Sequence, residues 1–208
     1  MAHIYPICHN NKKGVSMIEL IAYIALYGLV TSVLASLTYT IIITARKVNR
    51  QAVLNRASVI MYTDILAQTI SLNPDHISDI TKTADGNTIS ITLQKKYKYT
   101  DDGDRVEITA TDTEYASKPN AITYSYTKET DYIGVRYSYL NGTYVDSKID
   151  LEYNIYISMK DSDEIDGVFS VVKSSSFNKS VIFNGFLNFD SRQLEFNFVV
   201  PVFTVSDD

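Results

Sequence analysis

Few residues in this chain are able to carry chemistry, and they are unevenly placed. There is one cysteine, Cys8, and there are three histidines, His3, His9 and His76; only His76 lies beyond the polar opening stretch that closes Asn10-Asn11-Lys12-Lys13-Gly14. Neither Gly-x-Ser-x-Gly nor His-Glu-x-x-His occurs, so the sequence offers neither a nucleophile on a strand-to-helix elbow nor a helical zinc pair with its general base. The run Asp161-Ser162-Asp163-Glu164-Ile165-Asp166-Gly167 has the carboxylate density that calcium needs. A twelve-residue calcium loop, however, places an oxygen ligand fifth and glycine sixth, and Ile165 is fifth when Asp161 is first. It reads as a solvated turn, and no metal, cofactor or enzymatic activity is expected. The remaining candidate is Glu19, the single charge between Val15 and Ala45. A carboxylate in an apolar helix costs about 2.5–3.5 kcal/mol at a bilayer centre and less near the interface, so it tends to hold a partner. Its chemistry would be ion pairing where water is excluded; the plainer alternative is a side chain at the membrane interface, one turn inside the apolar run.

The element that must position Glu19 is a long helix. From Leu20 to Ala45 there are 26 residues without a charge, and at about 1.5 Å per residue such a helix spans a hydrocarbon core of roughly 30 Å. A secretory signal has an apolar core of about 7–15 residues followed by a small cleavage-site residue. Here the run is longer and the small residue, Gly14, precedes it. Past Ala45 the pattern turns one-sided: Val53, Leu54, Ala57, Ile60, Met61, Ile65 and Leu72 recur at three- and four-residue steps, with Arg50, Asn55, Arg56 and Gln68 on other faces. Asn73-Pro74 ends the pattern, because proline disfavours helical geometry in the residue before it. The expected helix runs from Val15 to about Leu72.

Lys12-Lys13-Gly14, then Val15, then Glu19 fifth after the glycine, then an unbroken apolar helix, together resemble the class III signal of type IV prepilins and pseudopilins. The resemblance covers Lys12 to Ala45 and departs at Val15, where the family usually has an aromatic residue or methionine, and in lacking a proline near Ser36. It implies cleavage after Gly14 by a prepilin peptidase behind the leader basic residues Lys12 and Lys13, N-methylation of Val15, and a role for Glu19 in assembly, paired with the amino terminus of a neighbouring subunit. It implies further a structural subunit of a type IV pilus or related secretion or competence pseudopilus. The partners would be other pilin subunits, the peptidase and the inner-membrane pilus assembly machinery. The protein would sit in the cytoplasmic membrane, single pass and amino terminus inside, before assembly, and on a cell-surface pilus (fimbrium) after it. A mature chain of 194 residues, larger than the heads of many major pilins, points to a minor subunit. The competing reading is an uncleaved, signal-anchored surface protein for binding or adhesion. Arg46, Lys47, Arg50 and Arg56 follow the apolar run, so the positive-inside rule leans toward the opposite orientation; amino terminus inside rests on the requirements of cleavage at Gly14.

The organisation that follows is a leader at 1–14, a transmembrane or filament-core helix half at 15–45, an amphipathic half at 46–74 and an extracytoplasmic head at 75–208. Of 19 basic and 24 acidic residues, only Lys12 and Lys13 precede Gly14, so the rest of the chain carries 17 against 24, a net −7. That argues against nucleic acid as the main partner, because displacing condensed counterions needs a basic surface. Loss of Cys8 with the leader would leave no thiol, so the head must be held by its core.

In the head the period shifts to two. Ile89, Ile91 and Leu93 alternate with Ser90, Thr92 and Gln94; Ile149, Leu151, Tyr153, Ile155, Ile157 and Met159 alternate with polar neighbours and Tyr156; Leu194, Phe196 and Phe198 do likewise. Turn signals stand at Asp85-Gly86-Asn87, Asp102-Gly103-Asp104, Asn141-Gly142 and Asp166-Gly167. Strands are expected at 88–99, 104–111, 121–127, 132–140, 143–159, 168–173, 179–189 and 192–204. The fold class is α+β: a long amino-terminal helix packed on an antiparallel β-rich head, the lollipop of the pilin resemblance. Sixteen tyrosines and many Asn, Ser and Thr suit either half-buried strands or a contact surface.

Overall fold

The computed structural model of the chain describes residues 16–72, 77, 79–109, 111–112, 117–128, 132–151, 154–158, 165–173 and 178–203. Lys12, Lys13, Gly14 and Val15 lie outside the described residues, as do Asp161 to Glu164. The chain divides into two compact units, Met1–Val48 and Asn49–Asp208.

Helix α1 (Met17–Ser71) begins in the first unit and ends in the second. Its bounds fall within two residues of those read from periodicity, and no break interrupts it. In the second unit its buried side chains are Leu54, Ala57, Met61, Ile65 and Thr69, one stripe at steps of three and four. Val53 and Ile60, expected on that stripe, are only partly covered.

The rest of the second unit is antiparallel sheet. Strands β1 (Asp79–Asp85), β2 (Thr88–Gln94), β5 (Ala121–Thr127), β6 (Ile133–Ser138) and β7 (Tyr144–Ile149) form one sheet in the order β1-β2-β5-β6-β7. β10 (Asn178–Phe189) carries β11 (Arg192–Phe203) along one edge and β8 (Tyr156–Ser158) and β9 (Phe169–Lys173) along the other. β3 (Tyr97–Tyr99) and β4 (Arg105–Glu107) make a separate two-stranded ribbon. Gly86 at φ 56° supplies the left-handed backbone that the β1–β2 turn requires.

Two expectations need correction. The strand expected over 143–159 is two strands in different sheets. Ile149 closes β7, Asn154 sits at φ 55°, a conformation that interrupts a strand and that asparagine tolerates, and Ile155 and Ile157 are buried with the second sheet. The strand expected over 88–99 likewise separates into β2 and β3, with Lys95 and Lys96 outside both strands, although the Lys95 amide still bonds the Asn120 carbonyl in register with β2 and β5. Asp166-Gly167, expected as a turn, lies in a 3₁₀ turn, Ile165–Val168. β1 had no expectation at all.

One core serves the unit. Ile89, Ile91, Leu93, Ile122 and Tyr124 from the first sheet meet Val181, Phe183, Leu187, Phe196 and Val200 from the second, together with the α1 stripe. The Phe183 ring stands edge-on to Tyr124 at 5.1 Å and to Phe169 at 5.3 Å, geometry that suits the ring quadrupoles. On the helix side Tyr124 Oη donates to the Ile65 carbonyl at 3.2 Å and lies 3.0 Å from Thr69 Oγ1, which itself donates to Ile65 O at 2.9 Å. The buried polar atoms of these two side chains are thereby satisfied, and burial pushes the Tyr124 phenol up, well above the usual range.

Candidate functional site

Of the residues singled out in the amino-terminal signal, Glu19 is the one the structure describes, and it has local partners. Ser16 stands immediately before α1, so Glu19 is the third helical residue. The Glu19 amide donates to Ser16 Oγ at 3.2 Å, and the Ser16 amide donates to Glu19 Oε2 at 2.9 Å. This is a reciprocal capping box, which satisfies two of the amide donors that a helix start leaves unpaired. The carboxylate also complements the positive end of the helix dipole. The signal for it, Ser-x-x-Glu ahead of an apolar run, stands in the sequence at Ser16-Met17-Ile18-Glu19 and is absent from the reading of Glu19 given above. It adds a folding role within one chain to the intersubunit role expected of this residue.

Beyond the cap and as far as Ala45, the helix surface is apolar on every side and largely uncovered: apart from Ile43, which is partly covered, the large apolar side chains from Met17 on have 45–79 % of their surface open. Four of its hydroxyls bond back to the preceding turn. Thr31 Oγ1 donates to Tyr27 O at 2.7 Å, Ser32 Oγ to Leu29 O at 2.8 Å, Thr38 Oγ1 to Leu34 O at 2.8 Å and Thr40 Oγ1 to Ser36 O at 2.9 Å. Bonding back to the preceding turn costs a soluble helix a little. In hydrocarbon it removes the far larger penalty of an unpaired hydroxyl. This helix is long and apolar enough to cross a membrane.

Of the four cations that follow the apolar run, Arg50 has partners in the second unit: its Nε lies 3.1 Å from Asp190 Oδ2, and its Nη1 donates to Ser191 Oγ at 3.4 Å. Asp190, at φ 53°, occupies the turn between β10 and β11. Among the described residues no group of three or more His, Cys, Asp or Glu side chains is placed to hold a metal ion. Comparison with protein-family models, with curated proteins and with solved structures finds no match.

Proposed function

We propose that this chain is a non-catalytic structural subunit of a type IV pilus or related pseudopilus, a minor one, cleaved after Gly14 and methylated at Val15. It would assemble through its amino-terminal helix, with other pilin subunits, the prepilin peptidase and the inner-membrane assembly machinery as partners. The observation that carries the reading is the first half of α1: an apolar surface left largely open among the described residues of its own unit, hydroxyls bonded back to the helix, and a single carboxylate at its start. Such a helix suits lipid before assembly and a bundle of like helices after it. The β-rich unit that follows would be the extracytoplasmic head, within which Arg50 pairs with Asp190.

In the assembled state Glu19 would exchange its Ser16 amide for the Val15 ammonium of a neighbour, a charge pair in a low-dielectric bundle that is costly to break from one side. The test is intact-mass analysis of membrane-extracted protein, joined to the ratio of filament-associated to membrane-retained chain. A mass corresponding to 194 residues plus a methyl group is expected. Retention of Met1 to Gly14 would mark instead a signal-anchored surface protein. Glu19→Gln keeps an acceptor for the cap and removes the charge, whereas Ser16→Ala removes a cap hydroxyl and keeps the charge. A steep fall in the filament ratio for Glu19→Gln with little change for Ser16→Ala is the expected pattern; equal, small effects would leave Glu19 with only its capping role.

A further inference from the structure

The outer face of the five-stranded sheet holds a polar cleft. Ser90, Ser125 and Gly134 are successive cross-strand neighbours on β2, β5 and β6. At Gly134 a Cβ would stand 2.7 Å from Ser125 Oγ, so the floor of this row is kept low by the missing side chain. The row on one side holds Thr92, Thr123, Arg136 and Asp146, with the two threonine hydroxyls 2.9 Å apart. On the other side Thr88 and Thr127 hydroxyls meet at 2.9 Å and the Tyr132 ring forms a wall. The depression encloses about 340 Å³, within the range of about 300–1,000 Å³ usual for small-molecule sites.

Its chemistry selects a class of ligand. Arg136 donates from Nε to Asp146 Oδ1 at 2.6 Å and from Nη2 to Oδ2 at 3.1 Å, and its guanidinium stacks 4.4 Å from the Tyr144 ring centre. A bidentate, stacked pair has one well-defined geometry. Arg136 holds Asp146 below the ordinary carboxylate range, so the pair stays ionised and its charges cancel. Lys148, across from Gly134 on the neighbouring strand, is matched by Asp150 at 2.9 Å, and its Nζ stands 5.8 Å from the Tyr132 ring centre, over one face of that ring. The lining therefore has no net charge to attract a phosphate or a cation. It offers instead fixed hydroxyls, the remaining guanidinium donors and carboxylate lone pairs, and one aromatic wall. Wet sheet faces are often rich in Ser and Thr; the concavity at Gly134, the bidentate ion pair and the ring are what distinguish this one.

We propose that this cleft binds a neutral carbohydrate, whose adjacent hydroxyls match paired donors and acceptors and whose ring face matches Tyr132. This assignment is independent of assembly, since it concerns a surface wholly within Asn49–Asp208. The experiment is titration of the full chain, held in a detergent without a sugar head group, with soluble neutral oligosaccharides (maltohexaose, cellopentaose, xylohexaose, mannopentaose and N-acetylated chitohexaose). Binding is read by ligand-observed NMR and calorimetry, with heparin as the polyanion control. At least one oligosaccharide should bind. Asp146→Asn, an exposed and conservative change, should weaken that binding roughly tenfold or more, and Gly134→Ala should weaken it by filling the floor. Thermal unfolding confirms that each variant is folded; if Gly134→Ala is not, Asp146→Asn alone decides. Binding of heparin alone, of none of the oligosaccharides, or of an oligosaccharide with unchanged affinity for folded variants would overturn the proposal. None of these results depends on whether the leader is removed.

Discussion

The two halves of α1 share a secondary structure and differ in everything that surrounds it. Between Leu20 and Ala45 the helix is apolar on all sides and its large side chains, Ile43 apart, are open. Between Asn49 and Ser71 it is one-sided, with Leu54, Met61 and Ile65 fully buried while Val59 and Ile70 face outward. The backbone hydrogen-bond pattern is set locally and is the same in both. What differs is the packing partner. The second half completes a protein core, so its stability is tied to β2, β5, β10 and β11. The first half has its cap and its internal hydroxyl bonds, and in a membrane it would gain the rest of its stability from a medium in which unpaired backbone groups are intolerable. A core-packing segment and a segment apolar enough to cross a membrane can thus be written into one helix by changing only the distribution of apolar residues around its axis.

The largest expected effect tests that division directly. Met61→Ala should destabilise the second unit by about 2–5 kcal/mol, the cost of a cavity in a packed core, whereas Leu34→Ala should leave its unfolding midpoint where it is. Near-ultraviolet circular dichroism of the full chain in detergent, which reports the packed tyrosines, distinguishes the two. A matching loss for Leu34→Ala would mean that the first half is part of the same core, and the comparison would fall. Next comes Gly185→Ala. Its Cβ would approach the Phe196 ring to 2.9 Å across the β10–β11 pair, and overpacking of this kind costs about 1–3 kcal/mol; denaturant titration should show a lower midpoint with an unchanged slope.

Smaller effects refine the picture at each helix end. Tyr124→Phe removes the phenolic donor to Ile65 O while Thr69 still bonds that carbonyl, so a loss of about 0.5–1.5 kcal/mol is expected in the same assay. Ser16→Ala should cost the helix start about 1 kcal/mol. It should be seen as faster amide hydrogen exchange confined to the first turn, with no change in the second unit. The smallest effect is acid-dependent. Arg136 depresses the Asp146 carboxyl in the folded chain, so this pair's contribution is present above the unfolded value of about 3.9 and is lost as pH falls through the lower folded value. A carboxyl-carbon NMR titration should place the Asp146 midpoint below that of an unstructured aspartate, and Arg136→Ala should raise it.

Much of this architecture was legible because it rests on patterns confined to one segment. The helix bounds followed from the charge-free run and from Asn73-Pro74, and β2, β5, β6, β9, β10 and β11 from alternation and turn residues. β1 was invisible for a physical reason: Asp79-Ile80-Thr81-Lys82-Thr83-Ala84-Asp85 is an edge strand held by its ladder to β2, with most of its side chains in solvent, so it has no buried face to advertise. Residues 143–159 misled because an apolar period of two continued across a break. Ile149 and Ile157 keep the same parity while lining different sheets, and among the described residues between them the Asn154 backbone records the change.

By itself the sequence determined what depends on neighbours along the chain: the long helix, the apolar surface of its first half, the capping pair Ser16 and Glu19, the acidic balance of the remainder and the alternation of most strands. Tertiary structure alone decided what depends on register between strands far apart in sequence. Thr69 is polar and sits at a helical step shared with many solvent-facing residues; it is buried because Tyr124, 55 positions away, reaches it. Ser90, Ser125 and Gly134 share no local motif and become one cleft floor only once β2, β5 and β6 pair in their observed alignment. A shift of one residue in that alignment would turn the serines inward and the isoleucines out, so the burial of Ile89, Ile91 and Ile133 is the physical cause that places the polar cleft on the opposite face.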